Sequence, residues 1–235
     1  MAQGSLETLV VMYILLIASA AAFMYCKAKK QMLLATIFKG LSTWIIIGGA
    51  LMLSEGSLNM FSVFIIAGLA MGLAGDVSLS LPGHGLMSGM LFFAIGHICA
   101  VIAMVVVLGA AIGPAVLIAI PIFAATTAIL IFALRKLGVT PPEKLKIPVL
   151  AYTVIISAML SLALTAPFSI FPDGLILLFA GLVFTVSDLA LAVNSFPKKS
   201  KLDGDEPAKA DSTVFSLSCY FFGQSLFAVS IHFFG

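Results

Sequence analysis

Residues 86–109 read LMSGMLFFAIGHICAVIAMVVVLG, a stretch that contains no Asp, Glu, Lys or Arg. At about 1.5 Å of rise per residue, a helix of this length exceeds the roughly 30 Å hydrocarbon core of a bilayer. A helix that is apolar on every side is either enclosed in a large protein core or surrounded by lipid. The length and composition of this stretch predict a membrane-spanning helix.

The composition of the rest of the chain agrees with this prediction. Hydrophobic residues make up 62% of the 235 residues and charged residues 9%, whereas an ordinary globular protein has roughly 25% charged residues. The mean hydropathy is +1.21. A soluble fold has too little interior to bury so much apolar surface. The composition therefore excludes a secreted domain, a nucleic-acid binder and a cytosolic enzyme.

Windows of about twenty apolar residues predict an all-α polytopic membrane protein with eight transmembrane helices. The predicted spans are about 6–26, 31–53, 58–81, 86–109, 112–134, 147–166, 173–195 and 212–233. Turn-forming and charged stretches separate them, including Pro82-Gly-His-Gly and the segment from Pro197 to Asp211. The loops are too short to fold alone, so we expect a single integral-membrane domain over residues 1–235.

The basic residues predict the orientation of these spans. The connections between spans 1 and 2, 3 and 4, 5 and 6, and 7 and 8 lie on the same side of the membrane. Eleven of the twelve Lys and Arg residues fall in three of these connections, those between spans 1 and 2, 5 and 6, and 7 and 8. Because basic loops stay in the cytoplasm, we expect these connections to be cytoplasmic and both termini to be extracytoplasmic. The short loops and the lack of a targeting extension favour a bacterial inner membrane over the endoplasmic reticulum.

Several polar side chains interrupt the predicted spans. They are Lys39, Asp76, His97, Tyr152, Asp188, Tyr220 and Gln224. A Lys or Asp at a helix centre costs roughly 2.5–3.5 kcal/mol on insertion scales, so such residues usually face the interior of the bundle. The two aspartates, Lys39 and Tyr152 all lie about 8–12 Å from the cytoplasmic edge, with His97 and Gln224 deeper. This shared depth predicts one polar cavity that opens toward the cytoplasm.

Not all of these residues need a chemical role. Tyr152, Tyr220 and Gln224 are equally typical of hydrogen bonds between helices, and a histidine such as His97 is often a core residue. The two aspartates are harder to explain structurally, since neutral residues join helices at lower cost. One lysine and two carboxyl groups in a medium of low dielectric favour keeping a proton on one carboxyl group. Such a pair is suited to general acid catalysis.

The strings around these residues resemble a known family. They are Lys39-Gly-Leu, Gly75-Asp76-Val-Ser-Leu, Phe93-Ala-Ile-Gly-His97, Ala151-Tyr152, Ser187-Asp188-Leu-Ala-Leu-Ala-Val-Asn194-Ser-Phe196 and Tyr220-Phe-Phe-Gly-Gln224. In this order they resemble the YhhN-type lysoplasmalogenase family over nearly the whole chain. The chain has Gly40 where that family usually has Pro, a difference that affects a helix kink more than the chemistry.

The resemblance implies hydrolysis of the sn-1 vinyl ether bond of lysoplasmenyl-ethanolamine or -choline. The products would be a fatty aldehyde and glycerophosphoethanolamine or glycerophosphocholine. Asp76 and Asp188 would be the acid and the base, with their roles left open, and Lys39 would counter the carboxylate charge or hold the phosphate. The residues that would orient water and headgroup are His97, Tyr152, Asn194, Tyr220 and Gln224. Neither a metal nor an organic cofactor is required. The expected partners are the lysophospholipid and the bilayer.

Two further interpretations remain open. A secondary transporter or proton-coupled carrier also places Asp, Lys and His inside the membrane. The nearly equal spacing of Asp76 from Asp188 (112 residues) and of Lys39 from Tyr152 (113 residues) suits a duplicated carrier of four plus four helices. However, the outer halves of the spans are almost uniformly apolar, which favours a one-sided lipid site. A structural or lipid-sensing protein would tolerate replacement of both aspartates by asparagine.

Overall fold

The computed structural model describes the backbone of residues 3–80, 85–109, 112–196 and 208–235. Within these ranges the chain forms eight α-helices and no β-strand. They are α1 (Gln3–Ala28), α2 (Met32–Leu53), α3 (Met60–Leu79), α4 (Gly85–Leu108), α5 (Ile112–Lys136), α6 (Glu143–Ser169), α7 (Gly174–Ser195) and α8 (Ala208–Phe234). Each of these eight described helices is long and apolar enough to cross a membrane. The predicted all-α fold is confirmed, and the chain is an integral multi-pass membrane protein.

The helix ends differ from the predicted spans for local reasons. α6 begins at Glu143 rather than at 147, because Pro142 occupies its N-cap position and the charged first turn continues the helix beyond the apolar window. Gly138, with φ of 75°, follows the end of α5, where the Val139 amide donates to the Leu134 carbonyl at 2.9 Å. Glycine adopts this left-handed conformation without a steric penalty.

Some of the predicted breaks lie outside the described residues. These are Pro82–His84 and residues 197–207, which include three of the basic residues used to predict orientation, namely Lys198, Lys199 and Lys201.

The chain divides into two compact units. Unit 1 comprises Met1–Val107 and Gln224–Gly235, and unit 2 comprises Leu108–Gly223. In unit 1, α1 packs along α2, and α2 packs along α3. In unit 2, α5 packs along α6, and α6 packs along α7. Each unit therefore places its first three helices side by side in chain order.

Small residues bring α3 and α4 into close contact in unit 1. A Cβ added to Gly68 would lie 3.1 Å from the carbonyl oxygen of Gly96, and a Cβ added to Gly96 would lie 3.1 Å from that of Gly68. One turn before the end of α3, Gly75 faces the ring of Phe93. Small residues at helix crossings allow backbones to approach closely inside a membrane. This contact fixes the segment of α3 that carries Asp76.

A pair of serines joins α7 and α8 in unit 2. The Ser187 hydroxyl donates to the Ser216 carbonyl at 3.0 Å, and the Ser216 hydroxyl donates to the Ser187 carbonyl at 3.2 Å. Both side chains are buried. Because the two bonds run in opposite directions across the same contact, they fix the position of α7 immediately before Asp188.

Candidate functional site

The centre of the candidate site in unit 1 is an ion pair between α2 and α3. The ammonium nitrogen of Lys39 lies 2.8 Å from Oδ1 of Asp76. Asp76 is 1% exposed and the Lys39 side chain 16% exposed. Side chains of a helix lean toward its N-terminus, so the long side chain of Lys39 extends toward the start of α2 and reaches Asp76 near the end of α3. The pair offsets two charges that would each be costly in lipid.

Thr43 provides the second contact to Asp76. Its hydroxyl donates to Oδ2 of Asp76 at 3.1 Å, and the residue is completely buried. Thr43 follows Lys39 by four residues on α2, and this spacing places both side chains on the same face of the helix. One oxygen of the carboxylate therefore forms an ion pair with Lys39, the other accepts a hydrogen bond from Thr43, and both contacts come from one face of α2.

Gln224 of α8 extends this cluster. Its Oε1 lies 3.4 Å from the Thr43 hydroxyl oxygen, and the residue is 1% exposed. A hydroxyl has one proton to donate, so it cannot fully serve Asp76 and Gln224 together. The shorter contact, at 3.1 Å, is the one to Asp76, and the Gln224 oxygen is the second acceptor near the same hydroxyl. Lys39 and Thr43 thus contact the carboxylate, and Gln224 contacts Thr43.

The candidate site residues of unit 2 are organised around Asp188. The Tyr152 hydroxyl of α6 forms a hydrogen bond with the Asp188 carboxyl group of α7. Asp188 is buried, while Tyr152 is partly buried. A phenol can donate or accept a hydrogen bond, so this contact suits either protonation state of the carboxyl group.

The remaining predicted residues have separate surroundings. Tyr220 is buried in unit 2, where its ring meets Phe184 edge-on with the centroids 5.6 Å apart. Asn194 is partly buried near the end of α7. His97 is buried in α4 of unit 1. For these three residues, the roles in orienting water and headgroup stay predictions.

The structure thus brings some of the predicted residues together. Unit 1 joins Lys39, Asp76 and Gln224, and unit 2 joins Tyr152 and Asp188. Lys39 forms an ion pair with the Asp76 carboxylate, and its role toward the substrate stays a prediction. The meeting of Asp76 with Asp188 in a single cavity stays a prediction.

Thr43 is the residue that the sequence analysis missed. Threonine is common in transmembrane helices, where its hydroxyl usually bonds to the backbone of its own helix. Thr153, Thr165 and Thr185 of this chain do so, each donating to the carbonyl four residues earlier. The sequence feature that could identify Thr43 is its position four residues after Lys39. This spacing indicates a shared contact only when the direction of the Lys39 side chain is known.

An apolar groove runs between α1 and α2 in unit 1, with a volume of about 630 Å³. Its lining consists of Glu7, Thr8, Val11, Met12, Leu15, Ile45, Gly48, Gly49 and Met52. None of the predicted site residues lines this groove. It is therefore separate from the contacts around Asp76.

Comparison with known proteins agrees with the motif pattern. The model of the YhhN family matches residues 34–231. The chain belongs to the YhhN family. This match includes every candidate site residue named above, from Lys39 to Gln224. No curated protein and no solved structure matches the chain. The match to the YhhN family is therefore the comparison with known proteins that informs the function of this chain.

Proposed function

We propose that this YhhN family member is a lysoplasmalogenase that hydrolyses the sn-1 vinyl ether bond of a lysoplasmalogen. The products are a fatty aldehyde and glycerophosphoethanolamine or glycerophosphocholine. The observation that carries the proposal is the buried carboxylate of Asp76, held by Lys39 and Thr43. Hydrolysis of a vinyl ether passes through an oxocarbenium ion, and a fixed carboxylate stabilises such a cation. Membership of the YhhN family supports the same reaction.

In the proposed mechanism, Asp188 delivers the first proton. The carboxyl proton of Asp188 is transferred to the β-carbon of the vinyl ether, while the ether oxygen donates electron density to the α-carbon. The product of this step is an oxocarbenium ion. The hydrogen bond from Tyr152 would orient the Asp188 carboxyl group for the transfer. General acid catalysis of this kind typically contributes about 10²- to 10⁴-fold.

Asp76 acts in the second part of the mechanism. Its ion pair with Lys39 favours the carboxylate form, which stabilises the cation and accepts a proton as water attacks the α-carbon. The resulting hemiacetal then collapses. Its carbon–oxygen bond to glycerol breaks, the departing oxygen takes the proton held by Asp76, and the hemiacetal hydroxyl returns a proton to Asp188. The net reaction consumes one vinyl ether and one water and restores both carboxyl groups.

The position of the cluster suits an amphiphile with one chain. Lys39 lies two turns inside α2 and Asp76 one turn inside α3. A lysophospholipid has its phosphate at the interface, its ether bond slightly deeper and its chain toward the membrane centre. In the same proposal, the basic connections face the cytoplasm, both termini are extracytoplasmic, and the membrane is a bacterial inner membrane.

Aldehyde release tests the proposed function directly. Detergent-purified protein is incubated with lysoplasmenyl-ethanolamine, with the corresponding acyl lysophospholipid as control substrate. We expect aldehyde from the vinyl ether, no cleavage of the acyl lipid, and loss of at least about 10²-fold in the Asp76→Asn and Asp188→Asn variants. Asp173→Asn is the matched control, because Asp173 is an exposed carboxylate before α7. Full activity of Asp188→Asn would contradict the mechanism.

The same protein in sealed vesicles tests the carrier interpretation. A proton-coupled carrier would acidify or alkalinise the vesicle lumen when substrate is added, without releasing aldehyde. Aldehyde release without proton movement supports the hydrolase. Proton movement that requires Asp76, in a protein that releases no aldehyde, would instead favour transport.

A further inference from the structure

We propose that Thr43 is a positioning residue for Asp76: together with Lys39 it fixes both oxygens of this carboxylate in the orientation that catalysis requires. This inference rests on the proposed function for its catalytic meaning. The contact on which it stands, between a buried hydroxyl and a buried carboxylate, is independent of the substrate.

The geometry of the clamp is specific. Lys39 contacts Oδ1 at 2.8 Å, and Thr43 contacts Oδ2 at 3.1 Å. With the lysine alone, the carboxylate could rotate about its Cβ–Cγ bond and exchange its two oxygens. The second donor, one helical turn away on the same face, opposes this rotation. Thr43 therefore selects one orientation of a group that Lys39 neutralises.

Thr43 also links three helices of unit 1. It lies on α2, its hydroxyl contacts Asp76 on α3, and the same oxygen is 3.4 Å from Gln224 on α8. A movement of Gln224 would reach Asp76 through this hydroxyl. Thr43 thus acts through other residues and is not itself placed against the reacting atoms.

The second unit offers an instructive comparison. The residue four positions after Tyr152 on α6 is Ile156, which is buried and has no hydroxyl. The helix that supplies Tyr152 to Asp188 therefore cannot supply a second donor from the equivalent position. The arrangement of Lys39 and Thr43 on α2 is therefore not repeated at this position of α6.

Two substitutions at position 43 test the proposal. Thr43→Val removes the hydroxyl and keeps the branched shape, and Thr43→Ser keeps the hydroxyl. For hydrolysis of lysoplasmenyl-ethanolamine, we expect Thr43→Val to lower kcat by about 10- to 100-fold with KM within about twofold, because misorientation affects the transition state more than binding. Thr43→Ser should retain kcat within about threefold of the wild type.

Ser42→Ala is the matched control. Ser42 is the neighbouring residue on α2 and is equally buried, but its hydroxyl contacts the Ser19 hydroxyl and the Phe38 carbonyl. Its loss should affect thermal stability to a similar degree without changing kcat. Equal loss of kcat in Ser42→Ala and Thr43→Val would overturn the proposal, as would wild-type kcat in Thr43→Val or failure of Thr43→Ser to restore activity.

An infrared measurement separates this inference from the proposed function. The carboxylate band of Asp76 is identified in protein with ¹³C-labelled aspartate as the difference between wild type and Asp76→Asn. We expect this band to shift in Thr43→Val and to stay unchanged in Ser42→Ala, whichever substrate the protein uses. An unchanged band in Thr43→Val would overturn the positioning role. A shifted band in a protein that releases no aldehyde would refute the proposed function and leave the contact established.

Discussion

The Lys39 ammonium lies 2.8 Å from Oδ1 of Asp76, so α2 and α3 carry one charge of each sign into the membrane as a neutral pair. An isolated charge of either kind is costly in this environment. The stability of the packing between α2 and α3 therefore depends on the same ion pair that holds the Asp76 carboxylate in the candidate site.

Removal of the lysine charge should destabilise the protein. In Lys39→Met, the buried Asp76 loses its counter-ion, and breaking a buried pair in this way typically costs about 3–5 kcal/mol. We expect a lower thermal denaturation midpoint in detergent and loss of aldehyde release. The double variant Lys39→Met with Asp76→Asn should regain most of the stability and stay inactive, because it lacks both the charge and the carboxylate. A single variant as stable as the wild type would contradict this reading of the pair.

Loss of the Tyr152 hydroxyl should affect catalysis more than stability. Tyr152→Phe removes the hydrogen bond to Asp188, and a bond of this kind is worth about 1 kcal/mol or somewhat more. We expect kcat for aldehyde release to fall about tenfold. The control is Tyr25→Phe, since Tyr25 is an exposed tyrosine at 63%. If both variants have the same kcat, Tyr152 does not orient Asp188.

A larger residue next to Asp76 on α3 should disturb the site, because it would collide with α4. A Cβ added to Gly75 would lie 2.8 Å from ring atoms of Phe93, so Gly75→Ala should displace Phe93 at a cost of about 1–3 kcal/mol. Phe93→Leu should relieve this clash in the double variant and recover activity. Gly48→Ala is the control, because a Cβ there meets nothing within 4 Å. A Gly75→Ala variant that equals Gly48→Ala in stability and activity would refute the contact.

The predicted orientation can be tested by chemical labelling. In a background without Cys26, Cys99 and Cys219, single cysteines are introduced by Lys136→Cys at the end of α5 and by Ser57→Cys between α2 and α3. Both positions are exposed. A membrane-impermeant thiol reagent should label position 57 in intact cells and position 136 only after the membrane is opened, because basic loops stay inside. The reverse pattern would invert the topology.

The number of helices could be predicted because it depends on composition along the chain. Lys39 and Asp76 could be expected at one level, since each lies near the same predicted edge. Thr43 could not, because a threonine in a helix normally bonds to its own backbone, as Thr153 does here. The helix ends were also misjudged where a cap, such as Pro142, acts beyond the apolar window.

The spacing of 112 and 113 residues acquires a physical meaning in the structure. Lys39 contacts Asp76 between α2 and α3, and Tyr152 contacts Asp188 between α6 and α7. In both halves, a polar residue on the second helix partners an aspartate on the third. The sequence shows the spacing, whereas the bonds themselves depend on side-chain directions that spacing alone does not define.

The ion pair also has a consequence for how the chain is made. During synthesis α2 emerges before α3, so Lys39 reaches the membrane before Asp76 can pair with it. On insertion scales a lone lysine near a helix centre costs roughly 2.5–3.5 kcal/mol. The arrival of Asp76 offsets this cost. Release of α2 and α3 into the lipid together, as a helical hairpin, therefore costs less than release of α2 alone. Membrane insertion of these two helices thus depends on the same Lys39–Asp76 contact as the candidate site.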